Sequence, residues 1–310
     1  MAHGTIGGRG PRRRRRRAPG PAVSLLTRRG ALLEHVLWIG GPPGAGKTTV
    51  ARRLARRHGL RRYASDAHSW EHRERAVRDG VPAAVRFEAL TREQLRAAPV
   101  EDRLAMTLQR ERGPMTIDDL RALPASPLIV AEGTQVLPGM LPPGSRAVWL
   151  LPSPRVRRAR LGARRGARGV PEVYLKMGEE IAAELDESDA PRLVVDDLTV
   201  EQTVAEVERF FAKELAEGPR ARTVQERREL LRWANLADVE RYHAFYSRPW
   251  NRVRIEDAVR SFACECGHPE CEAEVALPVL RFPPSRTSVL AEGHRASAAG
   301  AESGSGQRGW

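Results

Sequence analysis

Lysine is nearly absent from this chain. It occurs only at positions 47, 176 and 213, so almost all of the 52 basic residues are arginine. Abundant Arg, Ala, Gly and Pro point to a GC-rich coding sequence, and arginine abundance alone says little about function. Aromatic residues make up 5%, so the core must rest on Ala, Leu and Val. Long apolar runs are missing as well. No segment approaches the ~20 apolar residues that a membrane-spanning helix needs, and no apolar stretch follows the basic N-terminus as a secretory leader would require. Cysteine is confined to three positions between 264 and 271, too few and too clustered for a disulfide framework. These absences predict a soluble, cytoplasmic protein without membrane partners.

The net charge of +13 is unevenly spread, because residues 1–30 hold nine arginines and no acid. The run Arg12–Arg17 offers the one route to nucleic acid, through phosphate contacts. No aromatic residues interleave it, so residues 1–30 read as a disordered Arg-rich tail. With 310 residues the chain has room for two domains.

The richest segment is Gly41-Pro42-Pro43-Gly44-Ala45-Gly46-Lys47-Thr48, which fits G-x-x-x-x-G-K-[ST]. The glycines permit positive φ, and the exposed N–H groups then form an anion nest at a helix N-terminus. Lys47 is expected to reach the β- and γ-phosphates, and Thr48 to ligate Mg²⁺, with Thr49 next in line on the nucleotide. The flanks agree. His35–Ile39 is an apolar run suited to a buried parallel strand, and Val50 and Leu54 share one face of the helix that follows. Gly59 fits a helix C-cap.

Further strands are expected at Arg62–Ala64, Leu128–Ala131, Ala147–Leu151 and Leu193–Val195. Helical patterns fill 48–58, 70–122, 154–166, 170–187 and 199–215, the last opened by a Thr199/Gln202 capping box. This alternation predicts an α/β fold, a three-layer α/β/α P-loop domain with a five-stranded parallel sheet over residues 31–217. Gly218-Pro219 marks a boundary. A helix opened by a Thr223/Glu226 capping box and running to about His243 begins a small helical, Cys-rich module over 218–295. Residues 296–310, rich in Ala, Gly and Ser, read as a second disordered tail.

Three features narrow the chemistry. Asp66 ends the second strand, where a carboxylate can orient an acceptor hydroxyl and take its proton; Ser65 and Asp66 are also good helix N-caps. Glu132, at the end of Leu128–Ala131 and beside Gly133, suits a role on Mg²⁺ through water or on substrate. Arg155–Arg165 forms a basic helix after a strand, and Arg158 is the residue selected there to offset charge on a transferred phosphoryl group. Residues 35–215 resemble the small-molecule and nucleoside/nucleotide kinase branch of the P-loop proteins, on Gly41–Thr48, Ser65-Asp66, Glu132-Gly133 and Arg155–Arg165. The resemblance implies Mg²⁺-ATP and phosphoryl transfer to a small-molecule acceptor, with His72 and Arg73 near the acceptor region. The alternative is a nucleotide-sensing regulatory ATPase whose C-terminal module binds protein or nucleic acid.

Cys264-x-Cys266-Gly267-His268-x-x-Cys271 suits tetrahedral Zn²⁺ in a structural role. The fourth ligand is His268 or His294. A resemblance to C-terminal Cys-x-Cys-Gly modules of uncharacterised bacterial proteins favours His294. Free, reducible thiols are the other reading.

Overall fold

The computed structural model describes residues 33–284 and 287–295, together with Met1. The expected tails, residues 1–30 and 296–310, otherwise lie outside the described residues.

The chain enters the sheet at β1 (Val36–Gly40), whose five residues are all buried. Side chains alternate across a strand, so a strand covered on both faces must be apolar throughout. Leu37 and Ile39 pack on one face with Val50, Ala51 and Leu54 of α1 (Lys47–His58). Val36 and Trp38 pack on the other, against Ile117 and Leu120. After α1, Gly59 adopts φ 66° and caps the helix, as expected, and β2 (Arg61–Ala64) follows.

The stretch expected as one helical pattern over 70–122 is instead five helices: α2 (Ser69–Arg78), α3 (Pro82–Ala89), α4 (Arg92–Ala97), α5 (Val100–Ala105) and α6 (Arg112–Ala122). The interruptions have local causes. Gly80 takes φ 72°, Pro82 and Pro99 restart the chain, Thr91 sets a capping box with Gln94, and Leu108 adopts φ 57°.

The remaining core elements are β3 (Ile129–Glu132), β4 (Arg146–Leu151), α7 (Pro154–Arg165), α8 (Glu172–Asp186), β5 (Arg192–Val194), α9 (Val200–Phe210) and α10 (Ala212–Glu217). The sheet order is β2-β3-β1-β4-β5, with every pair parallel. Val204, Val207 and Phe211 close the α1 side, while Met177, Ile181 and Leu185 of α8 close the other. The three-layer α/β/α arrangement and the five-stranded parallel sheet match the expectation. The predicted helix 199–215 breaks at Phe211, whose ring is fully buried while its backbone leaves helical geometry.

Past Gly218, α11 (Val224–Tyr246) opens with the expected Thr223/Glu226 capping box and runs three residues beyond the predicted end. It packs along β2, α2 and β6 (Val259–Ala263), which pairs antiparallel with β7 (Glu274–Pro278). The edge strand β2 is thus covered, which removes a row of open backbone groups from solvent.

Candidate nucleotide-binding site

The loop from Gly41 to Thr48 leaves the carboxyl end of β1 and enters α1. Gly41 takes φ 128°, and a Cβ there would collide with the Leu150 carbonyl of β4, so only glycine fits. Gly44 and Gly46 are also at positive φ (84° and 95°). Pro42 and Pro43 form the outer turn, closed by Ala45 N donating to Pro42 O at 3.2 Å. Gly46 is the N-cap of α1, and no side chain caps its first N–H groups. Those donors face a helix N-terminus with no acidic residue in its first turn, the geometry of an anion nest. Lys47 is 7% exposed and donates Nζ to Pro42 O at 3.0 Å. Burial lowers its pKa, opposed by Glu132 and Asp66. Thr48 and Thr49 are exposed at the mouth.

Parallel register fixes the acids. Glu132 on β3 pairs with Ile39 of β1 on one side and Ala64 of β2 on the other, which brings it between the loop and Asp66. Glu132 is 3% exposed, and the neighbouring Thr48 hydroxyl favours its charged form. Burial and the neighbouring Asp66 push its pKa up, against Lys47 and Arg62. Asp66 sits in the short turn Ser65–His68 after β2, its side chain 62% exposed, with Arg112 Nη2 3.8 Å from Oδ1. The structure therefore brings Lys47, Thr48, Glu132 and Asp66 together. Arg158, by contrast, is on the exposed face of α7. The arginine of that helix that lines the cavity beside Thr48 and acts electrostatically on Lys47 is Arg164.

Beneath Asp66 lies a network that no sequence motif announced. Arg112 is buried and donates to Ser65 O at 2.7 Å and Ser65 Oγ at 3.1 Å, holding the turn that presents Asp66. Its Nε donates to His72 Nδ1 at 3.5 Å, and His72 Nε2 lies 2.7 Å from Asp119 Oδ2. Tyr63 OH and Arg75 also donate to Asp119, at 2.6 and 2.5 Å. Burial alone would raise the Asp119 pKa, but these hydrogen bonds hold it down to about 2. Burial also lowers the His72 pKa, which suits a neutral ring that accepts at Nδ1 and donates at Nε2. Arg73 donates to Met106 O at 2.6 Å and stacks on Phe87. Both His72 and Arg73 are buried within the helical insert, so neither presents a surface to an acceptor.

The cysteines form a second centre. One ligand atom each from Cys264, Cys266, Cys271 and His294 lie within 4.8 Å of one another, and the three thiols are buried. His294 Nδ1 is 3.4 Å from Cys264 Sγ and 3.5 Å from Cys271 Sγ. His268 stays apart, its Nδ1 accepting from Glu270 N at 3.2 Å. This donor set and spacing fit a tetrahedral ion with thiolate and imidazole ligands. Gly267, at φ 80°, turns the loop where a Cβ would come within 2.8 Å of Val224 O. The buried Glu265 accepts from Asn235 Nδ2 at 2.8 Å and Val289 N at 3.0 Å, tying the loop to α11. Arg56 of α1 reaches over to donate to Cys264 O at 2.6 Å and His268 O at 3.4 Å.

No helix among the described residues is long and apolar enough to cross a membrane. A comparison with the curated proteins found no match. Among solved structures the chain is similar to a sugar kinase from Janibacter sp. HTCC2649, with 21% identity over 58% of this chain and 96% of that one and a TM-score of 0.34. It is also similar to TT1252 from Thermus thermophilus, with 19% identity, 56% and 96% coverage and a TM-score of 0.36. Residues 36–187, just under half of the chain, match the family model described as an AAA domain. The phosphate loop, strands β1 to β4 of the parallel sheet and that match fall in one segment, residues 36–187, of a domain that has the three-layer α/β/α fold of P-loop proteins.

Proposed function

We propose that the protein is a Mg²⁺-ATP-dependent phosphotransferase acting on a hydroxyl of a small-molecule acceptor. The observation that carries this reading is the exposed Asp66 in a cavity of about 790 Å³ that Thr48 and Glu132 also line. A cavity of that size suits a small molecule. In this reading the backbone nest of Gly41–Gly46 binds the phosphates, and Lys47 leaves Pro42 O for the β- and γ-phosphates. Thr48 and Glu132 would hold Mg²⁺, which would neutralise charge on the transferred group. Asp66, steadied by Arg112, orients the acceptor hydroxyl and takes its proton. The hydroxyl oxygen bonds to the γ-phosphorus, the bond to the bridging oxygen breaks, and its electron pair leaves with ADP. Arg164 adds positive charge where the transition state develops it. The cysteine centre would hold Zn²⁺ in a structural role, since four protein ligands leave no open position for a substrate.

The test is ATP consumption by the purified chain with Mg²⁺ across nucleosides, nucleotides, sugars and aminoglycoside-like alcohols, with products identified by mass. One added phosphoryl group on an acceptor is the expected result. Lys47→Ala should abolish nucleotide binding. Asp66→Asn should keep nucleotide affinity and lose about 10²–10⁴ in turnover. ATP affinity retained in Lys47→Ala, or full turnover in Asp66→Asn, overturns the assignment.

A further inference from the structure

The cavity beside the phosphate loop is not walled by the sheet domain alone. α1, β2 and Asp66 make one side, while α11 and β6 make the other, with Asp238, Arg241 and Arg260 at the lining. All three lie outside the segment that matches the AAA domain.

Charge in this cavity is unbalanced. Nine arginines and six carboxylates line it. Along α1 three of the arginines are matched by acids, Arg52 by Glu274, Arg53 by Glu201 and Glu272, and Arg57 by Glu201, while Arg56 donates to backbone carbonyls. Near Asp66 the matching fails. Asp238 serves two guanidiniums at once, Arg62 at 3.5 Å and Arg241 at 3.0 Å. Arg62 is itself partly buried and reaches Glu132 only at 3.9 Å, and Glu132 already answers Lys47. Arg241 and Arg260 both lie against the Tyr242 ring, at 4.7 and 5.5 Å from its centroid. The Arg260 guanidinium donates to its own strand, at Val259 O, 2.6 Å away. A surplus of guanidinium in a walled cavity is costly until an anion completes it, and Arg is the side chain that grips planar or tetrahedral oxyanions best.

We propose that α11 and β6 complete the acceptor site, and that the acceptor carries an oxyanion, phosphate or carboxylate, bound by Arg241 and Arg260 while its hydroxyl faces Asp66. This rests on the phosphotransferase reading above. The C-terminal module is then part of the specificity machinery: it selects against neutral alcohols, which would leave the guanidiniums without a partner.

The test uses the full chain saturated with Mg²⁺ and a non-hydrolysable ATP analogue, so that the loop is filled first. Inorganic phosphate is titrated in one arm and acetate in another, with binding followed by calorimetry. The expected result is one anion site per chain, occupied by phosphate, acetate or both, which identifies the oxyanion. Arg241→Ala and Arg260→Ala should each weaken it by about tenfold or more, while Arg222→Ala, outside this cavity, should not. Thermal melting reports whether each variant is folded, and the two arginines sit on different elements, so one misfolded variant does not remove the test. Absence of any anion binding in the wild type, or equal binding in the folded variants, overturns the proposal. Failure of the nucleotide analogue to bind is read in the first step and counts against the phosphotransferase reading instead.

Discussion

A single carboxylate, Asp119, holds the floor under Asp66. It takes hydrogen bonds from Tyr63, His72 and Arg75, and His72 passes the restraint on to Arg112. Its pKa of about 2 lies below the ordinary 3.8, so the folded state favours the charged form. A depressed acid stabilises the fold fully above the unfolded pKa and loses that contribution as pH falls through the folded one. The window is thus between about pH 4 and 2, and the contribution is about 2 kcal/mol. Denaturant titrations of wild type and Asp119→Asn should therefore differ at pH 7 and converge toward pH 2; parallel curves over that range would contradict the assignment. The buried His72, with its pKa lowered from 6.5, acts in the same direction from a higher pH. None of this was legible in the sequence. His72 on α2 lies 40 and 47 residues from Arg112 and Asp119 on α6 in a charge-rich stretch, and a polar residue bound for a buried network carries no local mark. For the same reason Arg164 could not be told from Arg158: both sit in one basic helix, and only the position of the phosphate loop distinguishes them.

At the scale of elements, the strands were legible to within a residue or so, because β1, β3 and β4 are buried on both faces and must be continuously apolar. Capping boxes at Thr199 and Thr223 were equally plain, since both partners lie within four residues. The β6–β7 hairpin was not, because its outer face is exposed and the buried Phe262 packs on the distant rings of Tyr242 and Phe282. The cysteine loop was legible as a cluster of thiols, and the choice of His294 needed the long-range fold. If the cluster holds Zn²⁺, elemental analysis should find about one zinc per chain, and ligand loss should be felt as folding energy. Cys271→Ser or strong chelation should lower the melting temperature by several degrees or more. A metal-free preparation with unchanged melting would leave the thiols as free side chains.

At the scale of the whole molecule, the C-terminal segment is woven into the P-loop domain. Ala221 N donates to Gly59 O at 2.8 Å, Leu128 N donates to Pro219 O at 2.8 Å, and Arg227 donates to Arg56 O at 2.7 Å. α11 also covers β2, an edge strand of the sheet. A chain cut after residue 217 would expose that edge and leave buried backbone groups without partners. It should therefore aggregate or melt well below the full chain in light scattering and thermal scans; a monomeric truncation with native stability would show that the segment is dispensable for folding.

α1 joins the two centres as a single rigid part. It is a rod of about 18 Å, with the phosphate nest at one end and Arg56 on its flank gripping the carbonyls of the cysteine loop. A rod held at its flank can neither slide nor roll freely. The helix that carries the nest and the loop that carries the thiols are therefore fastened to one another at Arg56.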